Sequence, residues 1–275
     1  MNKIKLILSY IFGFILSVSI FSLAILFIVK NTASDKTFMF KLMDENNYYD
    51  KVYNSICEDV EDYMMSSGLE KEILDGVIQK DKVKEDITNY VNYLYEGKLY
   101  TVDTTSIKTT LKTNIDKYLK GLNLGINNTN ELELFIDDVA GIYKEEVSFY
   151  NTLDMVSSYL LKVTSLIDKA LVANIILVGV LTIIVLVLRK INIGSCILGS
   201  GLILFLIKLF VYERIDSENI LIVSDHFSLI VRSMFKYISE YMIYISVILI
   251  CIGFILCLFK IHKKWLKKST QISII

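Results

Sequence analysis

The chain has 275 residues, 53% of them hydrophobic, with 29 Lys and Arg against 30 Asp and Glu, 4 Cys and no Pro. The net charge of −1 hides two opposed populations, because residues 31–168 hold 25 carboxylates and 14 lysines, a difference of minus 11. That acidic excess repels polyanions and excludes nucleic acid as a partner, and its lone cysteine, Cys57, excludes a disulfide scaffold.

Residues 1–30 combine a short basic flank, Lys3 and Lys5, with an uncharged apolar run from Leu6 to Val29. A hydrocarbon core of about 30 Å takes about 20 apolar helical residues to cross, and this run is long enough. It exceeds the roughly 7–15 residues of a signal-peptide core and ends without a small-x-small site, so an uncleaved anchor is expected. Ser9, Gly13 and Ser17 recur at four-residue spacing on it and are candidates for close helix packing.

Residues 31–168 read as an acidic helical domain. Tyr49, Val52, Ile56, Val60 and Met64 share one helical face that should end near Gly68, and Leu69, Ile73, Leu74, Val77 and Ile78 suggest a short helix after it. Asp81 is the expected N-cap of a helix carrying Val83, Ile87, Val91 and Leu94, with Gly97 as its terminator. A helix from about Thr105 to Gly121 follows, then an Asn/Gly-rich loop at Asn123–Asn130, then a helix carrying Phe135, Val139, Tyr143 and Val147. Val156, Leu160, Val163 and Ile167 lead without a breaker into the next apolar run, which predicts one continuous helix.

Residues 169–212 contain two further spans, Ala170–Leu188 and Ile191–Tyr212, joined by the Arg189-Lys190 turn. Lys208 is the sole charge within them, near enough to a span end to extend toward water. Ser195 and Gly199 repeat the four-residue small spacing and join the packing candidates. Residues 213–240 form a second polar segment in which Ser224 caps a helix leading into the fourth span, residues 241–260. The tail, residues 261–275, carries Lys263, Lys264, Trp265, Lys267 and Lys268, a basic cluster with an interfacial aromatic suited to lipid headgroups.

Every carboxylate lies in 31–168 or 213–240, whereas residues 1–5, 189–190 and 260–275 carry only Lys, Arg and His as ionisable side chains. The positive-inside rule therefore expects both termini in the cytoplasm and the acidic domain outside. The Ile/Lys/Asn bias resembles proteins of AT-rich genomes and points to a bacterial plasma membrane. The fold class expected is all-α: a polytopic membrane protein with four transmembrane helices and a large helical extracytoplasmic domain between spans one and two.

No catalytic, metal or cofactor site is expected. His226 is the one histidine on the acidic side, and its neighbours Asp225 and Ser228 are adjacent in sequence rather than arranged as a triad. Glu58, Asp59, Glu61 and Asp62 read as a solvated helix face. Asp44-Glu45-Asn46-Asn47 begins like a calcium loop but has Tyr49 where that loop needs Gly. Tyr90, Tyr93, Tyr95 and Tyr100 are expected to seal a helical core with their hydroxyls at its rim.

Four spans with a large loop after the first resemble, in layout, the mechanotransmission permeases of the macrolide-exporter and cell-division type. Those proteins engage an ATPase through a cytoplasmic surface, and here only Arg189 and Lys190 separate spans two and three, so the chain departs from that family where its function resides. The expectation is a non-enzymatic membrane protein whose outer domain binds or scaffolds an envelope component. Its partners would be the bilayer, an extracytoplasmic protein and, through the small-residue faces, further copies of itself. The alternative is a channel or transporter subunit.

Overall fold

Apolar runs without proline form helices because a helix satisfies each interior N–H within the segment. The computed structural model describes residues 3–67, 69–98, 100–122, 129–149, 154–188, 191–210 and 225–272, and these are helical with no strand among them. The helices are α1 (Lys3–Lys30), α2 (Lys36–Glu45), α3 (Tyr48–Ser66), α4 (Lys80–Glu96), α5 (Thr105–Gly121), α6 (Thr129–Val147), α7 (Asp154–Leu188), α8 (Ile193–Phe210) and α9 (Asp225–Ile272). The Asn123–Asn128 part of the expected loop, the Arg189-Lys190 turn, Gly68 and Ser224 lie outside the described residues.

Four helices are long and apolar enough to cross a membrane: α1, the 162–188 part of α7, α8 and the 226–263 part of α9. Their outward faces carry large apolar side chains such as Phe14, Ile176, Val187 and Phe259, each more than half exposed, a distribution suited to lipid rather than water. The chain divides into two compact units, one built on these helices and the other comprising residues 36–163 with 220–233.

In the apolar unit, α1 contacts each of the other three helices. Leu16 packs with Leu181 and Val185 of α7 and Cys196 of α8, and further along α1, Ala24 and Ile28 pack with Leu204 of α8 and Met242 of α9. The order of these contacts alternates the helix directions. Gly13 lies beside Ile191 and Cys196, and Asn192 Nδ2 donates to Leu256 O at 3.4 Å, so the starts of α1 and α8 share one end with the Leu256 region of α9. At the other end Lys30 pairs with Asp168 of α7 at 2.7 Å. Beyond Lys30, Asn31 Nδ2 and Thr32 Oγ1 donate to the carbonyls of Phe27 and Ile28, both at 2.7 Å, occupying acceptors that a helix end leaves open.

In the other unit α3 and α6 are central. Val52, Ile56, Val60 and Met64 of α3 are buried with Val139, Tyr143 and Val147 of α6 and Val83, Ile87 and Val91 of α4, and burial of such a side chain is worth up to about 1.5–3 kcal/mol. Gly97 ends α4 at φ 64, the left-handed conformation that turns the following Lys98 N–H back to Tyr93 O at 2.9 Å. On α6, Phe135 is buried whereas its neighbour Leu134 is 63% exposed.

Two local expectations need correction. The segment 69–78 is not an α-helix but a single 3-10 turn, Lys71–Leu74, followed by Gly76 at φ 71. Asn114 of α5 donates to the carbonyls of Ile73 at 2.8 Å and Asp75 at 3.0 Å, supplying from another helix the partners that an α-helix would have supplied itself. Asp81 is not the N-cap of α4; Gln79 is, and Asp81 lies in the first turn, where its charge still opposes the helix dipole favourably.

Asp44 to Asn47, a poor match to a calcium loop in sequence, lie at a helix end. This stretch is the end of α2 and its turn into α3, with Asn46 Nδ2 on Leu42 O at 2.8 Å and Asn47 left-handed at φ 51. Helix α2 itself, which buries Phe38, Met39, Leu42 and Met43, was not foreseen.

The first turns of α9 belong to this second unit. Phe227 sits 5.1 Å from the Phe149 ring, Ile230 is fully buried and Ser233 Oγ donates to Asn46 Oδ1 at 3.0 Å. Phe149 holds φ 52, a costly backbone for a bulky residue, and its ring is fixed between Tyr48, Tyr90 and Phe227 at 5.1–5.8 Å.

Candidate functional site

In lipid no hydrophobic force drives helices together, so close packing and interhelical hydrogen bonds must do it. The α1–α8 contact uses both. Ser17 Oγ donates to Cys196 O at 3.0 Å, Ser200 Oγ lies 2.8 Å from Ser17 O, and the two hydroxyls are 3.3 Å apart. A Cβ on Gly13 would lie 2.8 Å from Ile191 Cδ1, and one on Gly199 would lie 3.0 Å from Ser17 Oγ. Asn174 of α7 adds a bond to α1, donating to Ser19 O at 3.2 Å.

Of the small-residue positions read from sequence, Gly13, Ser17 and Gly199 thus meet at this contact. Ser9 is buried with its hydroxyl turned back to Lys5 O at 2.8 Å, and Ser195 is exposed, its Oγ 3.6 Å from Cys257 Sγ. The tightest approach, between α8 and α9, was missed. Cβ atoms on Gly194, Gly201 and Gly253 would come within 2.5–2.9 Å of backbone atoms on the facing helix. Gly194 and Gly201 are seven residues apart, two helical turns on one face, so a search at four-residue spacing passes over them. Lys263 is exposed; of Lys264, Trp265, Lys267 and Lys268 only the helical backbone is described.

The second unit contains a buried charged node centred on Asp86. Asp86 of α4 has no exposed surface and accepts from Tyr143 OH of α6 at 2.7 Å, from Tyr100 OH at 3.0 Å and from Lys82 Nζ at 3.0 Å. Burial, then the Asp86 carboxylate, pushes the Tyr143 phenol far up; burial does the same to Tyr100, and the hydrogen bond to Asp86 raises the Lys82 ammonium. Three donors, two of them from outside α4, hold this carboxylate, so it ties elements together and is poorly disposed to take a proton from a substrate. A cavity of about 380 Å³ borders the node, with Lys82, Asp103 and Tyr143 in its wall.

The remaining polar candidates are surface features. Glu61 pairs with Lys71 at 2.6 Å, Asp137 with Lys108 at 2.6 Å and Asp50 with Lys80 at 2.9 Å, each half exposed or nearly so on at least one side and worth little individually. Asp138 accepts from Tyr63 OH, which raises that phenol. Among the described residues no group of three or more His, Cys, Asp or Glu is placed to hold a metal ion. The tyrosine cluster divides: Tyr90 is core, whereas Tyr93 is 39% exposed with its ring 5.2 Å from Tyr100 and Lys98 Nζ at 5.9 Å from it. Burial holds the Cys57 thiol above its ordinary value, which lowers its reactivity at neutral pH.

No protein-family model matches the chain, and neither a curated protein nor a solved structure shows significant similarity to it.

Proposed function

We propose that this is a non-enzymatic integral protein of a bacterial plasma membrane, both termini in the cytoplasm, whose acidic helical unit stands on the outer side and binds or scaffolds another envelope component. The observation that carries this reading is the segregation of charge: all 30 carboxylates fall in 31–168 and 213–240, and the short flanks of the other span ends are purely basic. The alternation of helix directions within the apolar unit supports it, because the starts of α1 and α8 share one end with the Leu256 region of α9. Almost all folded polar surface then faces outward, and recognition with it.

The same geometry speaks against the channel alternative. Ser17, Ser200 and Asn174 are buried polar side chains within the spans, and each bonds to a backbone carbonyl of a neighbouring helix, which is the use of polar groups as packing contacts rather than as a pore lining.

The deciding experiment is crosslinking with a membrane-impermeant reagent in native membranes, followed by identification of captured proteins. Replacing 36–163 by a short linker should abolish capture, and Lys208→Met should preserve it, at matched membrane abundance. Loss of activity in Lys208→Met with retention in the deletion would replace the scaffold reading by the channel one.

A further inference from the structure

At the end of the apolar unit where α1 begins, a cleft of about 640 Å³ opens between α1, α8 and α9. That volume lies within the roughly 300–1,000 Å³ typical of small-molecule sites. Its wall is mixed. Phe14 and Ile261 give it apolar sides, and Tyr10, Ser195 and Lys260 bring polar atoms to it. Asn192 also lines it, but its Oδ1 accepts the Gly194 N–H at 3.2 Å and its Nδ2 serves Leu256 O, so it is committed to holding the start of α8. Lys260 forms no ion pair with any described residue.

We propose that this cleft is a binding site for an anionic phospholipid, with its phosphate at Lys260 and the upper part of an acyl chain between Phe14 and Ile261. A wall that joins an ammonium and hydroxyls to apolar side chains matches an amphiphile whose headgroup carries negative charge. No carboxylate occurs in residues 1–30, 189–212 or 241–275 to oppose an anion there. A second copy of the chain fits less well. On α1 the cleft runs only from Tyr10 to Ser17, about 10 Å of helix against a hydrocarbon thickness of about 30 Å, too short a groove to seat a spanning helix.

The test uses the full chain in vesicles of phosphatidylcholine doped with phosphatidylglycerol that bears a photoactivatable group on one acyl chain; the comparison is phosphatidylcholine with the same label. Peptide mapping should find phosphatidylglycerol adducts concentrated on residues 10–17 and 257–261, several-fold above the phosphatidylcholine level. Lys260→Gln should reduce them to that level, whereas Lys3→Gln, an equal charge change at an exposed position outside the cleft, should leave most of them. Mapping on the unsubstituted protein keeps the test valid should a variant fold poorly. Equal adducts from the two lipids, equal losses in the two lysine variants, or disulfide-linked dimers through Ile261→Cys would each overturn the proposal; the last would assign the cleft to a second copy.

Discussion

Tyr143 of α6 donates its phenolic hydrogen to the fully buried carboxylate of Asp86 on α4 at 2.7 Å, joining two helices 57 residues apart in sequence. Lys82 and Tyr100 complete the shell of donors at 3.0 Å each. A carboxylate withdrawn from water is tolerable only when its acceptor positions are filled, so each donor stabilises the unit chiefly by preventing an unsatisfied charge.

Removing one donor should cost less than removing the acceptor. Tyr143→Phe leaves Asp86 two partners and should destabilise by about 1.5–3 kcal/mol. Asp86→Ala leaves the buried Tyr143 phenol without its acceptor and takes one partner each from Tyr100 and from Lys82, which keeps Glu85, and should cost about 3–5 kcal/mol over the three lost bonds. Thermal unfolding of the full chain in detergent, followed by circular dichroism, measures both; equal melting temperatures for parent and Tyr143→Phe would show that the bond contributes nothing.

The node also predicts an alkaline limit. Tyr143 and Lys82 both have folded-state values raised above their ordinary 10.0 and 10.5, so the stability they contribute is fully present below about pH 10 and declines as pH rises toward and through the folded values. Melting temperature should therefore fall above pH 10, and less steeply in Tyr143→Phe. An unchanged slope in that variant would assign the alkaline loss to the other tyrosines.

Glycines in the spans should divide by what faces them. A methyl on Gly253 would meet Leu198 N at 2.5 Å, whereas nothing lies within 4 Å of one on Gly179. Gly253→Ala should cost about 1–3 kcal/mol or more through forced separation of α8 and α9. Gly179→Ala should be neutral or stabilising by up to about 1 kcal/mol. Similar melting curves for the two variants would contradict the α8–α9 crossing.

Sidedness rests on charge and is open to direct test. In intact cells an impermeant maleimide should label Cys57 slowly at neutral pH and faster once the unit is loosened, because burial keeps its thiol protonated. A cysteine at Ser269 should stay unlabelled until the membrane is permeabilised. Labelling at 269 in sealed cells would invert the topology.

Much of this architecture was legible in the sequence because it depends on properties a segment carries by itself. A 24-residue uncharged run such as Leu6–Val29 must be helical in hydrocarbon whatever surrounds it, and the amphipathic period and terminal glycine of α4 set its face and its C-terminal end locally. Other features exist only through distant partners. Residues 69–78 have the spacing of a helix, yet Asn114 of α5 takes their carbonyls and a 3-10 turn results. Helix α2 shows a readable pair of i, i+4 contacts, Phe38–Leu42 and Met39–Met43, but it is only 10 residues long, too short to hold without burial. Asp86 sits in sequence among Lys84, Glu85 and Thr88 as one more polar residue of a charged helix, and only the arrival of Tyr100 and Tyr143 makes it the buried centre of the unit. Gly194, Gly201 and Gly253 are likewise indistinguishable from other span glycines until two helices cross there. Local chemistry decided where the chain is helical and where its charge lies, and tertiary structure decided which polar groups and which glycines bear the packing, because that depends on what stands opposite.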